Sequence, residues 1–392
     1  MSNRIDELLS SLRESDNLRK IPEVPEKDFI DLSGNDYLGL AADAARFEEE
    51  FLDLHHGRPL LFTSAASRLL STRQDSHLAF EEELEEAYRR PTLLFNSGYH
   101  ANVGVIGSLA AIPGTIFLAD KLVHASIIDG LRLSGATFAR FRHNDMASLA
   151  KLIERHGADC ERVVVVTESV FSMDGDRAPI EELIRLKRSN PKVLLYIDEA
   201  HALGVFGPKG LGLTATPEIN GMVDIMIGTL GKGAASSGAF VVCEGNMKEW
   251  ILNTARSFIF STALPPANVE WSRFMFGKLM EADDRRARLV RLSYEFRGLI
   301  SRFSSNFGDF SKIAPVSTTQ IVPLLTGSSA IALGVSRKLK DKGILALPIR
   351  RPTVPPGTER IRFSLHASLP DIDSFAKEIG EAITNFCQQQ TW

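Results

Sequence analysis

One lysine in a run of small residues raises the main chemical question about this chain. Lys232 lies in MIGTLGKGAASSGAF, residues 226–240, with a glycine on each side. A phosphate-binding P-loop requires GxxxxGK followed by serine or threonine. Here only two residues separate Gly228 from Gly231, and Gly233 follows the lysine. The spacing therefore argues against a nucleotide-binding module.

Two interpretations of Lys232 remain, a glycine-rich structural turn or a lysine that forms a Schiff base. A lysine amine is an effective nucleophile when desolvation or nearby cations lower its pKa. Small neighbours also let a flat cofactor lie against the backbone. A second glycine cluster, GLGLTA at 210–215, formally matches GxGxxA, but it follows the loop GVFGPK and not a strand. We therefore expect no dinucleotide site there.

The stretch YIDEAHALG supplies residues that a pyridoxal phosphate site needs. Pyridoxal phosphate withdraws electrons only while its pyridine nitrogen is protonated, and a buried carboxylate keeps it so. Asp198 is the first polar residue after VLLYI, and His201 follows three residues later, within reach of the phenolic oxygen of the ring. Taken singly, Asp198 is more often an ordinary strand-end acid, and His201 is more often a turn histidine.

A phosphate group and the open face of a cofactor ring need further partners. Backbone N–H groups at a helix start bind phosphate, and Ser97, Gly98 and Tyr99 in FNSGYHAN open a helix after the strand TLLF. His124 begins the helix after IFLADKLV and is our candidate to cover the ring, with Tyr99 as the competing residue. A histidine in such a place is often only a core residue.

The elements that carry these residues indicate an α/β fold. Short apolar runs such as RVVVVTES, VLLYIDE and VDIMIGT are continuous and each ends in a turn. Such runs are typical of a mainly parallel sheet covered on both faces, with ligands at the carboxyl ends of its strands. We expect a large domain over residues 46–265 and a smaller α+β domain over 266–392. The N-terminal segment 1–45 would contribute to the smaller domain.

Composition excludes several classes of function. The net charge of −4 and the isoelectric point near 6.2 indicate neither nucleic acid nor an anionic membrane as a partner. No apolar run approaches a membrane span, and the N-terminus does not resemble a secretion signal. Three scattered cysteines, Cys160, Cys243 and Cys387, are typical of a cytoplasmic protein. The histidines show no HxxxH or HExxH spacing, so no metal site is expected.

Together these motifs resemble the α-oxoamine synthases, pyridoxal-phosphate enzymes of the aspartate-aminotransferase fold (fold type I). The resemblance runs from residue 32 to residue 373 and includes the stretches LSGNDYLGL, FNSGYHANVGVI, DKLVHASIIDG, ESVFSMDGDRAPI, IDEAHALGVFG and TLGKGAASSGAFV. The stretches FIFSTALPPA and IRRPTVPPGTERIRFSLHAS are most similar to the biotin-pathway member of the family.

The resemblance implies a role for each matching position. Lys232 would bind the cofactor covalently, Asp198 would pair with the pyridine nitrogen, His201 would contact the phenolic oxygen and His124 would stack on the ring. The further implied contacts are Ser172 with the cofactor, Thr229 with its phosphate, Gly98 and Tyr99 through backbone donors, and Thr262 with the phosphate in the neighbouring subunit of a homodimer. Asn35 would line the substrate pocket, and Arg350 would bind the amino-acid carboxylate.

The implied reaction is a decarboxylative condensation of L-alanine with pimeloyl-CoA or a pimeloyl carrier-protein thioester. Lys232, once displaced by the substrate amine, would take the Cα proton, and CO2 and CoA or the carrier would leave. The active site would lie at the subunit interface of a homodimer, as is usual in the family.

Departures from the family pattern at four positions leave open the acyl specificity and the arginine that binds the carboxylate. Ala65, Ala66 and Thr72 stand near the acyl-thioester entrance where the family favours glycine or spacious positions, and Arg351 stands where it often has proline. The stretch QDSH is also similar to glycine acetyltransferases. The alternatives are therefore a sister enzyme, such as a glycine C-acetyltransferase or a serine palmitoyltransferase-like enzyme, or a non-catalytic partner subunit.

Overall fold

A computed structural model of the chain describes residues 2–21, 29–157, 160–303 and 317–389. The chain divides into two compact units. The larger unit comprises residues 38–171 and 177–286, and the smaller comprises residues 1–37, 172–176 and 287–392. The domain boundaries that the sequence suggests, at residues 45 and 265, stay predictions. The chain passes from the smaller unit to the larger after residue 37 and returns to the smaller unit after residue 286.

Twelve strands occur in the described part of the chain. They are β1 (Ile30–Asp31), β2 (Thr92–Phe95), β3 (Thr115–Asp120), β4 (Phe138–Phe141), β5 (Arg162–Glu168), β6 (Val193–Asp198), β7 (Ile225–Thr229), β8 (Ala239–Val242), β9 (Ile321–Leu325), β10 (Ile344–Leu345), β11 (Leu347–Ile349) and β12 (Arg360–Ser364).

The α-helices of the described residues alternate with these strands through the larger unit. They are α1 (Ser2–Glu14), α2 (Ala44–Leu54), α3 (Asp75–Tyr88), α4 (Gly98–Ala110), α5 (Ala125–Leu133), α6 (Met146–Gly157), α7 (Ile180–Ser189), α8 (Pro217–Asn220), α9 (Gly245–Thr254), α10 (Arg256–Ile259), α11 (Pro266–Met280), α12 (Asp283–Ser301), α13 (Ser329–Asp341) and α14 (Ala376–Gln389). In the described residues, no helix is both long enough and apolar enough to cross a bilayer.

The larger unit contains a seven-stranded sheet with the strand order β2-β8-β7-β6-β5-β3-β4. The pairs from β7 through β6, β5 and β3 to β4 are parallel, and β8 runs antiparallel to both β2 and β7. The prediction of a mainly parallel sheet is confirmed. In such a sheet the carboxyl ends of the parallel strands meet at one edge, where ligands bind.

Both faces of this sheet are covered by apolar side chains. Val163 and Val165 of β5 belong to one buried cluster, whereas Val164 and Val166 belong to another. Successive side chains of a strand point to opposite faces, so the two clusters pack on the two sides of the sheet. This double burial explains why the strands read as continuous apolar runs and not as alternating ones.

The smaller unit is built around an antiparallel three-stranded sheet of order β11-β12-β9. A separate two-stranded parallel sheet is formed by β1 and β10, in which Ile30 lies opposite Ile344. Ser328 precedes the helix α13, and its hydroxyl accepts a hydrogen bond from the Ile331 N–H group and so caps the helix. This combination of helices and antiparallel strands is the α+β character expected from the sequence.

A buried histidine in the larger unit predicts acid sensitivity. His77 on α3 is 2% exposed, and burial, with Arg68 nearby, lowers its pKa from 6.5 to about 4, which the Leu264 carbonyl offsets in part. Arg68 itself is held by a two-bond pair with Glu81, at 2.9 and 3.1 Å. Because folding favours neutral His77, its stabilising contribution is complete above pH 6.5 and is lost as the pH falls towards 4.

We expect the wild-type melting temperature to fall more steeply from pH 6.5 to 4.5 than that of His77→Gln. The difference corresponds to about 1.4 kcal/mol per pH unit at most. Thermal melts monitored by circular dichroism at several pH values measure it, since glutamine has a similar size and does not titrate. Parallel curves for the two proteins would show that His77 does not gain a proton in this range.

Candidate active site

Polar residues end three neighbouring strands of the larger sheet. Glu168 ends β5, Asp198 ends β6 and Thr229 ends β7. Glu168 and Asp198 are directly paired in the parallel register. Because all three lie at the carboxyl edge of the sheet, their side chains face one region, as the sequence predicts for Asp198.

A cavity of about 380 Å³ lies at this edge of the sheet. Eight of the residues singled out in the sequence line it, namely Ser97, Gly98, Tyr99, His124, Asp198, His201, Thr229 and Lys232. These residues come from four different segments of the chain. The structure therefore brings the predicted lysine, acid, histidines and helix start into one pocket.

The glycines around Lys232 serve packing. Gly228 lies within β7, and a Cβ atom there would meet the Phe240 ring of the paired strand at 2.3 Å. A Cβ atom on Gly233 would meet the Leu203 carbonyl oxygen at 2.4 Å. Only glycine lets the loop after β7 approach the loop after β6 so closely. The approach places Lys232 Nζ 2.9 Å from His201 Nε2.

Asp198 is nearly inaccessible to solvent and makes hydrogen bonds through both carboxylate oxygens. The side chain is 4% exposed. Its Oδ2 atom accepts from Asn102 Nδ2 at 2.8 Å, and its Oδ1 atom accepts from the Ala200 N–H group at 2.9 Å. These bonds hold the carboxylate rigidly in the pocket, as a buried acid requires.

His124 occupies the N-cap position of α5. Its Nδ1 atom lies 2.8 Å from Ser126 Oγ and 3.2 Å from the Ser126 backbone nitrogen. Burial lowers the pKa of His124, Lys232 lowers it further, and Asp198 acts in the opposite direction. A histidine with a lowered pKa is neutral near pH 7, so His124 contributes an uncharged ring to the pocket.

Glu168 lines the same pocket but is absent from the sequence-based site. Its side chain is buried, and its Oε1 atom accepts a hydrogen bond from the His124 N–H group at 2.5 Å. Burial and then the neighbouring Asp198 raise the pKa of Glu168 well above its usual range. The signal was present in the sequence, because Glu168 closes an apolar strand run in the same way as Asp198.

One end of the pocket has the features of an anion site. The Ser97 hydroxyl accepts from the His100 N–H group and caps α4, whose first two residues, Gly98 and Tyr99, line the pocket. Thr229 Oγ1 is buried and makes no hydrogen bond within the described residues. An unpaired buried hydroxyl beside a helix start is suited to a bound phosphate.

Two predicted residues of the larger unit have less direct positions. The Tyr99 hydroxyl donates to Asp129 Oδ2 at 2.9 Å, and the tyrosine is 46% exposed. Thr262 is exposed and does not line the cavity, but its carbonyl accepts from Asn96 Nδ2, a pocket residue, at 2.7 Å. The proposed contact of Thr262 with a neighbouring subunit stays a prediction.

Three predicted residues, Asn35, Ser172 and Arg350, belong to the smaller unit. Within it, Arg362 Nη2 donates to Asn35 Oδ1 at 3.0 Å, and Arg362 Nε donates to the Ser172 carbonyl at 2.6 Å. Arg350 donates to the Asp16 carbonyl, and Arg351 pairs with Glu359 at 3.1 Å. The sequence reading missed Arg362, because its two partners lie far away along the chain.

Comparison with known proteins decides the family. The model of the family "Aminotransferase class I and II" matches residues 27–379. The chain belongs to this family. It is 41% identical over 382 residues to the 8-amino-7-oxononanoate synthase of Haemophilus ducreyi, covering 94% of this chain and 97% of that relative. The resemblance read from the sequence is thereby confirmed.

Solved structures of this family share the fold over nearly the whole chain. A serine palmitoyltransferase from S. paucimobilis, solved with a bound PLP–myriocin aldimine, matches with a TM-score of 0.85 and 27% identity over 98% of each chain. An 8-amino-7-oxononanoate synthase from Francisella tularensis matches with a TM-score of 0.72 and 26% identity, over 92% of this chain and 97% of that one. The expected fold type I architecture is confirmed.

Proposed function

We propose that the chain condenses L-alanine with a pimeloyl thioester, pimeloyl-CoA or a pimeloyl carrier protein, to form 8-amino-7-oxononanoate for biotin biosynthesis. It is a pyridoxal-phosphate-dependent C-acyltransferase, and CO2 and CoA or the carrier leave as co-products. The observation that carries the proposal is the 2.9 Å pair of Lys232 and His201 in the pocket that Asp198 also lines. The full-length similarity to named 8-amino-7-oxononanoate synthases supports the choice of substrates.

The pocket residues fit pyridoxal 5'-phosphate. Lys232 provides an amine for its aldehyde, Asp198 a carboxylate for its ring nitrogen, and the α4 start with the unpaired Thr229 hydroxyl a place for its phosphate. When bound, the cofactor supplies an aldehyde that captures the substrate amine and a protonated ring that withdraws electrons from Cα. All other roles in the proposed reaction belong to side chains of the protein.

Each pocket side chain then has one task. Lys232 moves the proton at the substrate Cα, and His201 holds the Lys232 amine in place within hydrogen-bonding distance. Asp198 would hold a negative charge at the ring nitrogen of the bound cofactor. His124 would cover one face of that ring as a neutral imidazole, consistent with its lowered pKa.

The substrate contacts are proposed for residues of the smaller unit. Arg350 is the better candidate for the alanine carboxylate, because Arg351 already pairs with the buried Glu359. Its planar guanidinium is suited to bind a carboxylate through two bonds. Asn35 and Ser172 stay proposed substrate and cofactor contacts, held near one another by Arg362.

Exposed apolar side chains support the proposed homodimer, which we also propose to be cytoplasmic. Phe260, which precedes Thr262 by two residues, is 70% exposed, and Phe62 is 76% exposed. The two segments are adjacent, because the Ala267 N–H group donates to the Leu61 carbonyl at 2.9 Å. Large apolar side chains exposed on adjacent segments are candidates for a subunit interface.

Gly98→Ala is expected to weaken pyridoxal phosphate binding by roughly tenfold, or about 1.4 kcal/mol. A Cβ atom on Gly98 would meet Thr229 Cγ2 at 2.5 Å, so Thr229 must rotate and its hydroxyl must leave the phosphate end of the pocket. Titration of the cofactor-free protein with pyridoxal phosphate, followed by protein fluorescence, gives the dissociation constant.

Gly107→Ala is the matched control for that substitution. Gly107 lies on the same helix, and a Cβ atom there meets no other atom within 4 Å. Alanine at this position is expected to leave the dissociation constant unchanged and to stabilise the helix by up to about 1 kcal/mol. Equal dissociation constants for Gly98→Ala and the wild type would remove Thr229 from the phosphate site.

The proposed substrates are tested by combining three amino acids with three thioesters. L-alanine, glycine and L-serine are each incubated with pimeloyl-CoA, acetyl-CoA and palmitoyl-CoA, and the products are identified by mass spectrometry. We expect L-alanine with pimeloyl-CoA to give the largest kcat/KM. Preference for serine with palmitoyl-CoA, or for glycine with acetyl-CoA, would assign the chain to a sister enzyme.

A sister enzyme is the second candidate, chiefly because of the comparison with solved structures. The serine palmitoyltransferase structure matches with a higher TM-score than the 8-amino-7-oxononanoate synthase structure, 0.85 against 0.72. The loop that carries the departures at Ala65, Ala66 and Thr72 is a second point of difference, because Ala65 adopts a left-handed φ of 50°. A glycine would take this conformation at a lower energetic cost, so the loop retains strain at the proposed acyl entrance.

A further inference from the structure

One amide lies at the centre of the buried hydrogen bonds under the pocket. Asn102 on α4 is 2% exposed. Its Nδ2 atom donates to Asp198 Oδ2 at 2.8 Å and to Ser126 Oγ at 2.9 Å, and its Oδ1 atom accepts from the Tyr196 hydroxyl at 2.6 Å. Both N–H bonds and the carbonyl of this amide are therefore used.

The charge on Asp198 determines which way this amide points. A carboxylate only accepts hydrogen bonds, so the atom of Asn102 that faces Asp198 must be the NH2 group. The carbonyl then faces Tyr196, whose hydroxyl donates to it. The reversed orientation would place two oxygens against one another beside Asp198, which is unfavourable in a buried site.

This orientation determines the proton positions as far as His124. Ser126 Oγ accepts from Asn102, so its single proton is available to His124 Nδ1 at 2.8 Å. The Ser126 backbone N–H group also points at Nδ1, at 3.2 Å. A ring nitrogen that accepts twice carries no proton, and the proton of the neutral imidazole therefore resides on Nε2.

We infer that Asn102 is a positioning residue that sets two states together, Asp198 as a hydrogen-bond acceptor and His124 as the neutral Nε2–H tautomer. This inference rests on the proposed function, because it assigns Asp198 and His124 to the cofactor. It deepens that function, since a single amide links the acid at the ring nitrogen with the imidazole over the ring face. These hydrogen bonds link Asp198 to His124 only indirectly, through Asn102 and Ser126.

The surrounding charges are consistent with neutral His124. The ionisable groups that face His124 or its neighbours are Asp129 on the same helix, Asp198 at the end of β6, Lys232 after β7, Glu168 at the end of β5 and Asp120 at the end of β3. Burial is the largest influence and lowers the pKa of His124, as Lys232 does, against Asp198 and Asp129. A proton on Nδ1 would also face two hydrogen-bond donors, the Ser126 hydroxyl and the Ser126 backbone N–H group, which is unfavourable.

Asn102→Asp reverses the polarity of the network at nearly constant shape. The new carboxylate accepts where the amide donated, so the Ser126 hydroxyl turns towards it and leaves His124 Nδ1. A second negative charge also lies beside Asp198 and disfavours its ionised form. We expect His124 to gain a proton, and the pH dependence of the visible band of bound cofactor to shift by about one pH unit or more.

Ser126→Ala separates the two effects. It removes the hydroxyl next to His124 and leaves the bond from Asn102 to Asp198 in place. We expect a changed His124 tautomer population with an unshifted cofactor band. As a control for lost stability, Asn220→Ala removes a partly buried amide bond to the Tyr88 carbonyl outside the pocket and should change neither the tautomer nor the cofactor band.

The experiment is nitrogen NMR of 15N-histidine-labelled protein, with and without pyridoxal phosphate, and His124→Gln assigns the signal. Wild-type His124 is expected to show protonated Nε2 and unprotonated Nδ1 at pH 7. Protonated Nδ1 in the wild type, or an unchanged tautomer and band in Asn102→Asp, would overturn the inference. Failure of the wild type to form any visible band with the cofactor would instead contradict the proposed function, and the cofactor-free spectra would still test the network.

Discussion

Lys232→Ala is expected to lower the condensation rate by about 10⁴-fold or more. Its amine has two tasks in the proposed mechanism, covalent attachment of the cofactor and proton transfer at Cα, and loss of proton transfer alone costs up to about 10⁴-fold. Lys232→Arg should lose as much, because a guanidinium keeps its proton and cannot act as the amine. Single-turnover rates with saturating pyridoxal phosphate provide the measurement.

The control for this loss is a lysine with no role in the pocket. Lys151 on α6 is exposed, and Lys151→Ala is expected to retain the wild-type rate. The visible band of bound cofactor should persist for Lys151→Ala and shift for both Lys232 variants, since covalent attachment is lost. A Lys232→Ala rate within tenfold of the wild type would show that another group transfers the proton.

Asp198→Asn is expected to lower the rate by roughly 10² to 10⁴-fold while leaving the fold intact. The substitution removes the charge that keeps the ring nitrogen protonated, so the ring withdraws electrons less effectively. It also places a second amide against Asn102 Nδ2, which now donates to Asp198 Oδ2. The band of the bound cofactor should therefore change its pH dependence, and the dissociation constant of the cofactor should rise.

Asp224→Asn is the matched control at the opposite end of the sheet. Asp224 immediately precedes β7, where it accepts from Lys187 Nζ at 2.5 Å and from the Leu195 N–H group at 2.7 Å. Losing this charge should lower the melting temperature without altering the cofactor band. If both substitutions reduced the rate equally, the loss in Asp198→Asn would reflect stability and not chemistry.

The sequence predicted the parts of the site that local patterns carry. Asp198 was found because a polar residue ends a buried strand, and Ser97 because it precedes a helix after a strand. Both positions follow from the parallel sheet, whose continuous apolar runs are visible in the sequence. The glycine-rich run around Lys232 was also recognised. The sequence did not show what these glycines contact, namely the Phe240 ring at Gly228 and the Leu203 carbonyl at Gly233.

The missed residues depend on contacts between distant segments. Asn102 and Asp198 are 96 residues apart, and no local pattern distinguishes this asparagine from an ordinary helix residue. Arg362 likewise meets Asn35 from 327 residues away. Glu168 differs, because it closes a strand in the same manner as Asp198, and only the paired register reveals that the two carboxyl groups are neighbours.

The most direct test of the account is to identify the residue that binds the cofactor. The purified protein is incubated with pyridoxal phosphate, treated with borohydride to reduce the carbon–nitrogen double bond, digested, and mapped by mass spectrometry. We predict that the reduced cofactor is found on the peptide that carries Lys232, and on no peptide of Lys232→Ala. Attachment at a different lysine, or none at all, would contradict the assignment of this pocket as the active site.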